Sequence, residues 1–409
     1  MSLRIIFSTH PAHGHLNPLL PVAHACRDAG HEVLFATAPR FCETVRSHGF
    51  ECRGAGLDYL WSEPLVSFPE IADAPRGPEQ VRWLVEQIAF PRLHRPMAEG
   101  VLEIAQDFSP DLVVVDFADW GGRIAADVLG IPYVYCSWGY EADMDFSYTG
   151  DLYDELRAAF GLGPAPVRDL HGTRWLRLSP LPERWMRERA PASPTTRRFA
   201  MGLYDAPAGA GLPSWFAELP ERPLIYATIG TVVSIAPLID WLIGGLSQLD
   251  AEVVITTGAG FDPGSLGPLP ANVHVEQFIP QSLLLAHCDL VVSHAGFGTM
   301  LGAMQHGVPM VLACLAADHW YNAERCAELG LARVVGRDAQ SAQGLCTLVR
   351  DALADDQLQA GAAAMQAAFA DLPDVSEAVP LLEGLAREKT PVTQLLAAAP
   401  GGQNGQAVG

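Results

Sequence analysis

Three histidines stand close together in the segment THPAHGHLNP, residues 9–18, where a first apolar run gives way to a helix-like stretch. His15 is the one best placed for chemistry, because an imidazole titrates close to neutral pH and so suits a general base. Such a base needs a partner that orients its second nitrogen. Asp116, which ends the apolar run LVVVD, is the favoured partner, and Asp119 is the competing candidate.

The same histidines raise the question of a metal site. His10, His13 and His15 lie on a segment rich in Gly and Pro, and no fourth ligand stands near them in the sequence. Structural zinc sites take four ligands. We therefore expect no metal at this segment, and we assign His13 to loop packing or to the wall of a ligand pocket.

A second constellation lies in LVVSHAGFGTM, residues 290–300. A strand ends here, and a turn containing Gly296 and Gly298 leads into a helix. Glycines let the backbone approach a ligand closely, and the free N–H groups of a helix start attract phosphate. A Gly-x-Gly turn is a weak signal alone, but Asp318 and His319 follow at a spacing that strengthens it. The pattern predicts a phosphate-binding turn.

Alternating strands and helices must position these groups. Asn17 is predicted to cap the first helix, and Gly30 and Gly130 to end helices. Such a βαβ series predicts an α/β protein with two Rossmann-like, doubly wound domains facing a central cleft. The predicted strands are Leu3–Phe7, His31–Thr37, Asp111–Val115, Ile131–Tyr135, Leu224–Ala227, Glu252–Thr256, Val273–Gln277, Leu290–Ser293 and Met310–Cys314.

Length and local composition divide the chain. Its 409 residues are about twice what one hydrophobic core organises, so we expect two domains joined by a linker rich in Pro and Gly. A C-terminal helix is expected to pack back toward the N-terminal domain, before a disordered tail. The predicted boundaries are 1–205 and 223–375 for the domains, 206–222 for the linker, 376–395 for the helix and 396–409 for the tail.

Charge and composition exclude several classes of partner. The net charge of −21, from 26 basic and 47 acidic residues, repels a phosphate backbone and argues against nucleic acid as a partner. No 18-residue apolar span is present, so we expect no membrane helix, and the apolar start is too short for a signal peptide. The eight cysteines show no Cys-x-x-Cys spacing and are expected to be reduced thiols of a cytoplasmic protein.

The segment from 290 to 326 closely resembles the donor-binding signature of GT-B nucleotide-sugar glycosyltransferases, especially bacterial enzymes that glycosylate natural products such as macrolides and enediynes. The residues HGHLNP resemble the acceptor-side signature of the same family. The resemblance covers roughly residues 3–135 and 222–330, with the two motifs in the right order on opposite halves. It implies a GT-B fold in which the first domain binds the acceptor and the second binds the donor.

The resemblance also implies residue roles. His15 becomes the catalytic base and Asp116 its partner, while the turn near 294 holds the diphosphate, the segment near 278 the nucleobase, and the pair at 318 and 319 the sugar hydroxyls. The implied donor-binding residues are Thr228, Thr231, Phe278, Gln281, His294, Gly296, Gly298, Thr299, Asp318 and His319.

Two departures from the family pattern bear on the donor. His319 stands where the family commonly has Gln, which points to an altered deoxy or amino sugar. Gly302 stands where family members that use UDP-sugars often place Glu for the ribose hydroxyls, so we expect a dTDP-sugar.

Aromatic insertions at 58–96 and 138–200 suit the walls of a pocket for an apolar acceptor. The predicted acceptor contacts are His13, Trp61, Phe90, Trp138 and Tyr140.

The expected reaction is one displacement at the anomeric carbon, which inverts its configuration. A helix start and neutral donors are expected to take the place of a metal, and no cofactor is expected beyond the nucleotide-sugar co-substrate. The partners are therefore a small-molecule aglycone and a nucleotide sugar, and the sequence allows a homodimer. The alternative is a related non-catalytic protein that activates a partner transferase.

Overall fold

The chain folds into two compact units, each built around one parallel sheet. The first unit comprises Met1–Leu60, Leu84–Gly202 and the chain from Leu372 onward, and the second comprises Trp61–Trp83 and Leu203–Asp371. The segment 61–83, assigned from sequence to the N-terminal domain, thus belongs to the second unit. The structure, a computed structural model, describes residues 2–75, 77, 79–137, 147–165, 172–187, 193–206, 209–230, 236–258, 260–316 and 318–398.

The sheet of the first unit is formed by β1 (Arg4–Ser8), β2 (Glu32–Thr37), β3 (Glu51–Gly54), β4 (Leu112–Asp116), β5 (Tyr133–Cys136), β6 (Leu176–Ser179) and β7 (Thr196–Arg198). Its order is β3-β2-β1-β4-β5-β6-β7, and the pairings are parallel. β4 is buried along its whole length, as its apolar sequence requires. The order reverses between β1 and β4, and doubly wound sheets bind ligands at the carboxyl ends of such a strand pair.

The second sheet is formed by β8 (Leu224–Thr228), β9 (Glu252–Thr256), β10 (Val273–Glu276), β11 (Leu290–Ser293), β12 (Met310–Leu312) and β13 (Ala332–Val334). Its order is β10-β9-β8-β11-β12-β13, again with parallel pairings. Here the order reverses between β8 and β11. The predicted fold class, two doubly wound parallel sheets flanked by helices, is confirmed.

Helices connect these strands. The segment before α6 is a π-helix, Val85–Leu93. The α-helices are α1 (His13–Leu16), α2 (Leu20–Asp28), α3 (Cys42–Ser47), α4 (Pro64–Ser67), α5 (Glu79–Leu84), α6 (His94–Phe108), α7 (Trp120–Leu129), α8 (Gly150–Ala159), α9 (Ala236–Leu246), α10 (Gln281–Leu284), α11 (Phe297–His306), α12 (His319–Glu328), α13 (Ala342–Leu353), α14 (Asp356–Ala370), α15 (Val379–Glu388) and α16 (Val392–Ala398).

The entry to the first long helix differs from the sequence prediction. Asn17 does not cap a helix start; its backbone N–H donates to the His13 carbonyl, so it ends the short helix α1. α2 then begins at Leu20, with Pro21 in its first turn, where the missing N–H costs nothing. The prediction was wrong because Pro18 and Pro21 both suit a helix start.

The C-terminal helix α15 belongs to the core of the first unit. Val379, Leu382 and Leu385 are buried in the same apolar cluster as residues of β1 and α2. Among the described residues, no helix is long and apolar enough to cross a membrane.

Candidate active site

The carboxyl ends of β1 and β4 carry the predicted base and its partner. His15, in α1, donates a hydrogen bond from Nδ1 to Oδ2 of Asp116 at 2.9 Å. The Asp116 side chain is completely buried, whereas the His15 side chain is 18% exposed and reachable by a small molecule. The aromatic ring of Phe117 stacks on the His15 ring, with centroids 5.9 Å apart and planes 7° from parallel.

Asp116 is held as a carboxylate. The backbone N–H of His10 donates to its Oδ2 at 3.2 Å, and that of Ala118 donates to its Oδ1 at 3.0 Å. Burial alone would raise the pKa of Asp116, but the charge and hydrogen bond of His15, with the Ala118 N–H, outweigh it and lower the pKa. The side chain is therefore ionised at neutral pH.

Asp119, the competing partner, has a different task. Its Oδ1 accepts from the N–H of Gly122 at 3.1 Å, so it caps the start of α7, and its Oδ2 accepts from the Ser8 hydroxyl. Burial raises the pKa of Asp119. The structure thus brings His15 together with Asp116, as favoured from sequence.

A buried cluster lies beside this pair. His10, His94 and Asp119 each offer one atom that could ligate a metal ion, and these atoms lie within 4.8 Å of one another. However, both nitrogens of His10 are used, by the Tyr59 hydroxyl at 2.6 Å and by the Ala118 carbonyl at 3.1 Å. Both oxygens of Asp119 are also used, so a metal would have to displace existing hydrogen bonds. No motif in the sequence pointed to His94 or Tyr59, which come from distant segments of the chain.

The second region lies at the ends of β8 and β11. We call residues 294–299, between β11 and the first turn of α11, the glycine turn. A side chain added at Gly296 would come within 2.2 Å of His294 Nε2, so only glycine lets the ring lie there. No side chain caps this start of α11, so its first N–H groups remain available to an anion. A side chain added at Gly298 would meet no atom within 4 Å, which marks open space at the helix start.

Two imidazoles border the glycine turn. The rings of His294 and His319 lie 4.7 Å apart in an edge-to-face arrangement. Burial lowers the pKa of His294 to about 4, although a hydrogen bond to the Thr228 backbone acts to raise it. Burial and repulsion from His294 lower the pKa of His319 to about 3. His319 Nδ1 accepts from the N–H groups of Leu315 and Ala316, at 3.2 and 3.1 Å. Its proton therefore lies on Nε2.

An asparagine that the sequence analysis missed joins the two predicted halves of the donor site. The buried Asn322 donates through Nδ2 to the Ala295 carbonyl at 3.0 Å and to Asp318 Oδ2 at 2.7 Å. Ala295 has a left-handed backbone, φ 68°, which is unfavourable for a residue with a side chain. The signal for Asn322 was its position four residues after Asp318, which places both on one helix face.

Of the other predicted donor residues, Gln281 and Thr228 lie beside the same turn. Gln281 donates through Nε2 to the Thr299 hydroxyl at 3.0 Å, which joins α10 to α11. Thr228 ends β8 beside the turn, and its hydroxyl accepts from the Gly230 N–H at 3.3 Å. Phe278 is 56% exposed and so is accessible for stacking. Thr231 lies outside the described residues.

The predicted acceptor residues are scattered. His13 is exposed and its ring contacts Phe41, with centroids 5.6 Å apart. Phe90, on the π-helix, is buried in an apolar cluster against Trp120. Trp61 contacts Phe68 and belongs to the second unit, not to the first unit to which it was assigned from sequence. Their acceptor roles stay predictions, and Trp138 and Tyr140 lie outside the described residues.

Solved structures share this architecture over nearly the whole chain. The glycosyltransferase SnogD from Streptomyces nogalater matches with a TM-score of 0.75 and 27% sequence identity, over 94% of this chain and 100% of that chain. The fold is that of the GT-B glycosyltransferases.

Similar sequences carry the comparison to the family. The L-demethylnoviosyl transferase of Streptomyces niveus is 30% identical over 80% of this chain and 84% of its own. The TDP-daunosamine transferase DnrS of Streptomyces peucetius is 26% identical over 96% and 99%. Residues 24–176 and 240–385 match the N- and C-terminal domains of the erythromycin biosynthesis protein CIII-like family. The chain belongs to this family and is a glycosyltransferase that uses nucleotide sugars.

Proposed function

We propose that this glycosyltransferase works by a single, inverting displacement that needs no metal ion. The observation that carries the proposal is the hydrogen bond between His15 and Asp116. An ionised carboxylate can only accept, so the proton of this bond belongs to His15 Nδ1. The lone pair of the ring is then on Nε2, the nitrogen that takes the proton of an acceptor hydroxyl in this proposal.

The steps of the transfer follow from this tautomer. The acceptor oxygen forms a bond to the anomeric carbon while the bond from that carbon to the diphosphate oxygen breaks. The hydroxyl proton passes to His15 Nε2, and the Asp116 carboxylate stabilises the resulting imidazolium. Because one displacement occurs, the anomeric configuration is inverted.

The glycine turn supports departure of the diphosphate. The leaving group gains negative charge in the transition state, and preorganised N–H donors at the start of α11 stabilise that charge. The neutral rings of His294 and His319 beside these donors add no charge of their own, so the N–H groups of the helix start carry this role. These groups supply the stabilisation for which other transferases use a cation.

Packing at Gly302 supports a dTDP donor. A side chain added at this glycine would lie 2.6 Å from Leu285 Cδ1 and 2.8 Å from Leu203 Cδ1. A glutamate that binds both ribose hydroxyls would have to displace the ends of these two leucine side chains, and such a residue gains less when the 2′-hydroxyl is absent. The name of the Streptomyces peucetius relative also specifies a TDP-sugar.

His319 bears on the sugar that is transferred. Its Nδ1 is occupied by two backbone N–H groups, so Nε2–H can donate but the ring cannot accept. A glutamine could do both. We propose that the ring donates to an oxygen of a deoxy sugar. For the acceptor we propose an apolar natural product, since the aromatic ring of Phe117 lies directly against the base.

The donor proposal is tested by titrating the purified protein with dTDP and UDP. We expect dTDP to bind more tightly and to raise the melting temperature more at equal concentration. Tighter UDP binding would contradict it.

The mechanism is tested by transfer from a dTDP-deoxysugar to a panel of apolar aglycones, with and without a chelator. We expect equal rates in both arms and a product of inverted anomeric configuration by NMR. Retention of configuration, or loss of activity that added Mg²⁺ restores, would overturn the mechanism. Turnover without any added protein would also reject the alternative of an activating subunit.

A further inference from the structure

The last residue of β4 and the first residue after it make two contacts with the His15 ring. Asp116 accepts the Nδ1 proton, and Phe117 stacks on the ring face. The next residue, Ala118, donates its N–H to Asp116 Oδ1 at 3.0 Å. The geometry of the base therefore depends on the position of three consecutive residues, 116–118, at the end of β4 and just after it.

His10, two residues beyond the end of β1, binds these three residues at two points. Its backbone N–H donates to Asp116 Oδ2 at 3.2 Å, and its ring donates from Nε2 to the Ala118 carbonyl at 3.1 Å. The carbonyl can only accept, which places the ring proton on Nε2. His10 thus connects Asp116 to Ala118, and we call His10 and its partner Tyr59 the brace.

Tyr59 completes the brace. Its hydroxyl lies 2.6 Å from His10 Nδ1 and donates to it, because Nδ1 is the acceptor nitrogen of this tautomer. Both residues are only 3% exposed. Burial lowers the pKa of His10 against the nearby carboxylates Asp116 and Asp119, which keeps the ring neutral as the two bonds require.

We propose that His10 and Tyr59 are positioning residues for the base, holding residues 116–118 so that the carboxylate and the aromatic ring stay aligned with His15. This inference rests on the proposed function of His15. Neither residue touches the substrate in this proposal; they act through residues 116–118.

The first test removes the brace in graded steps. His10→Leu removes both hydrogen bonds of the ring, and Tyr59→Phe removes only the hydrogen bond from the tyrosine hydroxyl. His10→Gln keeps an N–H donor on a side chain that is long enough to reach the Ala118 carbonyl. We expect kcat to fall about tenfold in His10→Leu and about threefold in Tyr59→Phe, with the donor KM unchanged and His10→Gln close to wild type. His24→Leu and Tyr133→Phe, which remove a histidine and a buried tyrosine hydroxyl elsewhere in the unit, are the controls.

The second test observes the base without turnover. In ¹⁵N-labelled protein, the downfield resonance of the His15 Nδ1 proton reports its bond to Asp116. We expect it to shift or broaden in His10→Leu and Tyr59→Phe, and to be retained in His10→Gln and both controls. An unchanged resonance with an unchanged kcat in Tyr59→Phe would overturn the proposal, even if His10→Leu does not fold.

The two proposals fail in different ways. If His15→Ala transfers sugar at the wild-type rate, the base assignment fails, but the resonance still reports whether the brace orients His15. If His15→Ala is inactive and the resonance ignores both brace variants, only the positioning role fails.

Discussion

The two strand pairs β1/β4 and β8/β11 occupy the same place in their sheets, yet their electrostatics are opposite. The first surrounds a carboxylate of the protein with N–H donors, two from the backbone and one from His15. The second presents an uncapped helix start. The carboxyl ends of the central strand pair can thus surround a negative charge of the protein itself, as in the first unit, or offer N–H groups to the negative charge of a ligand, as in the second.

The imidazoles differ in the same way. In the first unit, the His15 ring donates a hydrogen bond to the ionised Asp116 carboxylate. In the second unit, burial lowers the pKa of His294 and His319 to about 4 and about 3, so neither ring is charged at neutral pH. The His294 Nδ1 atom is shielded from solvent and has no hydrogen-bond partner among the described residues. A buried polar atom of this kind favours a bound polar ligand.

The largest expected effect comes from removing the charge of the first region. In Asp116→Asn, the amide can donate to His15 Nδ1, which moves the ring proton to Nε2 and blocks the base. We expect kcat to fall by about 10² or more, with dTDP affinity unchanged. Steady-state kinetics and calorimetric titration measure the two quantities.

Asp119→Asn is the matched control, since asparagine still caps a helix start. A change of only a few-fold in kcat is expected. If both variants lose activity equally, the contrast between the two aspartates fails.

An intermediate effect is expected at Asn322. Asn322→Ala removes the hydrogen bonds to Ala295 and Asp318, so we expect the donor KM to rise about tenfold with a smaller change in kcat. Ala295→Gly makes the left-handed backbone favourable without the asparagine. In the double variant we expect part of the lost donor affinity to return, measured by titration with dTDP. No recovery would mean that Asn322 acts only through Asp318.

The smallest effect concerns stability below neutral pH. A histidine that is neutral in the folded state, with a depressed pKa, takes up a proton in the unfolded chain below about pH 6.5, so stability falls as the pH falls from 6.5 toward 4. His319→Gln removes the contribution of this histidine to that loss of stability. We expect the loss of unfolding free energy between pH 7 and pH 5 to be smaller in the variant, by about 1–2 kcal/mol. Urea unfolding at both pH values measures it, and equal losses would contradict a neutral ring at 319.

The sequence predicted the strands that carry the sites. β1, β4, β8 and β11 are apolar runs in buried positions, and their ends place the motifs at the carboxyl edges. The strands that were missed lie away from these pairs and are short, with Arg or Glu among their residues: β3, β6, β7 and β13. Such strands have no hydrophobic pattern to reveal them.

The site was predictable only where a residue was marked by the pattern of its own segment. Asp116 could be named because it ends an apolar strand. Tyr59 and His94 could not, because the fold brings them to His10 from segments 49 and 84 residues further along the chain. His10 stood inside the first motif, but the sequence did not show which atoms its ring would meet.

The most direct measurement compares His15→Ala with His294→Ala in both transfer rate and dTDP binding. We predict that His15→Ala loses transfer by about 10² or more while the Kd for dTDP is unchanged, and that His294→Ala raises this Kd about tenfold. Wild-type transfer in His15→Ala, or loss of dTDP binding in that variant, would contradict the assignment of proton removal to the first region and nucleotide binding to the second.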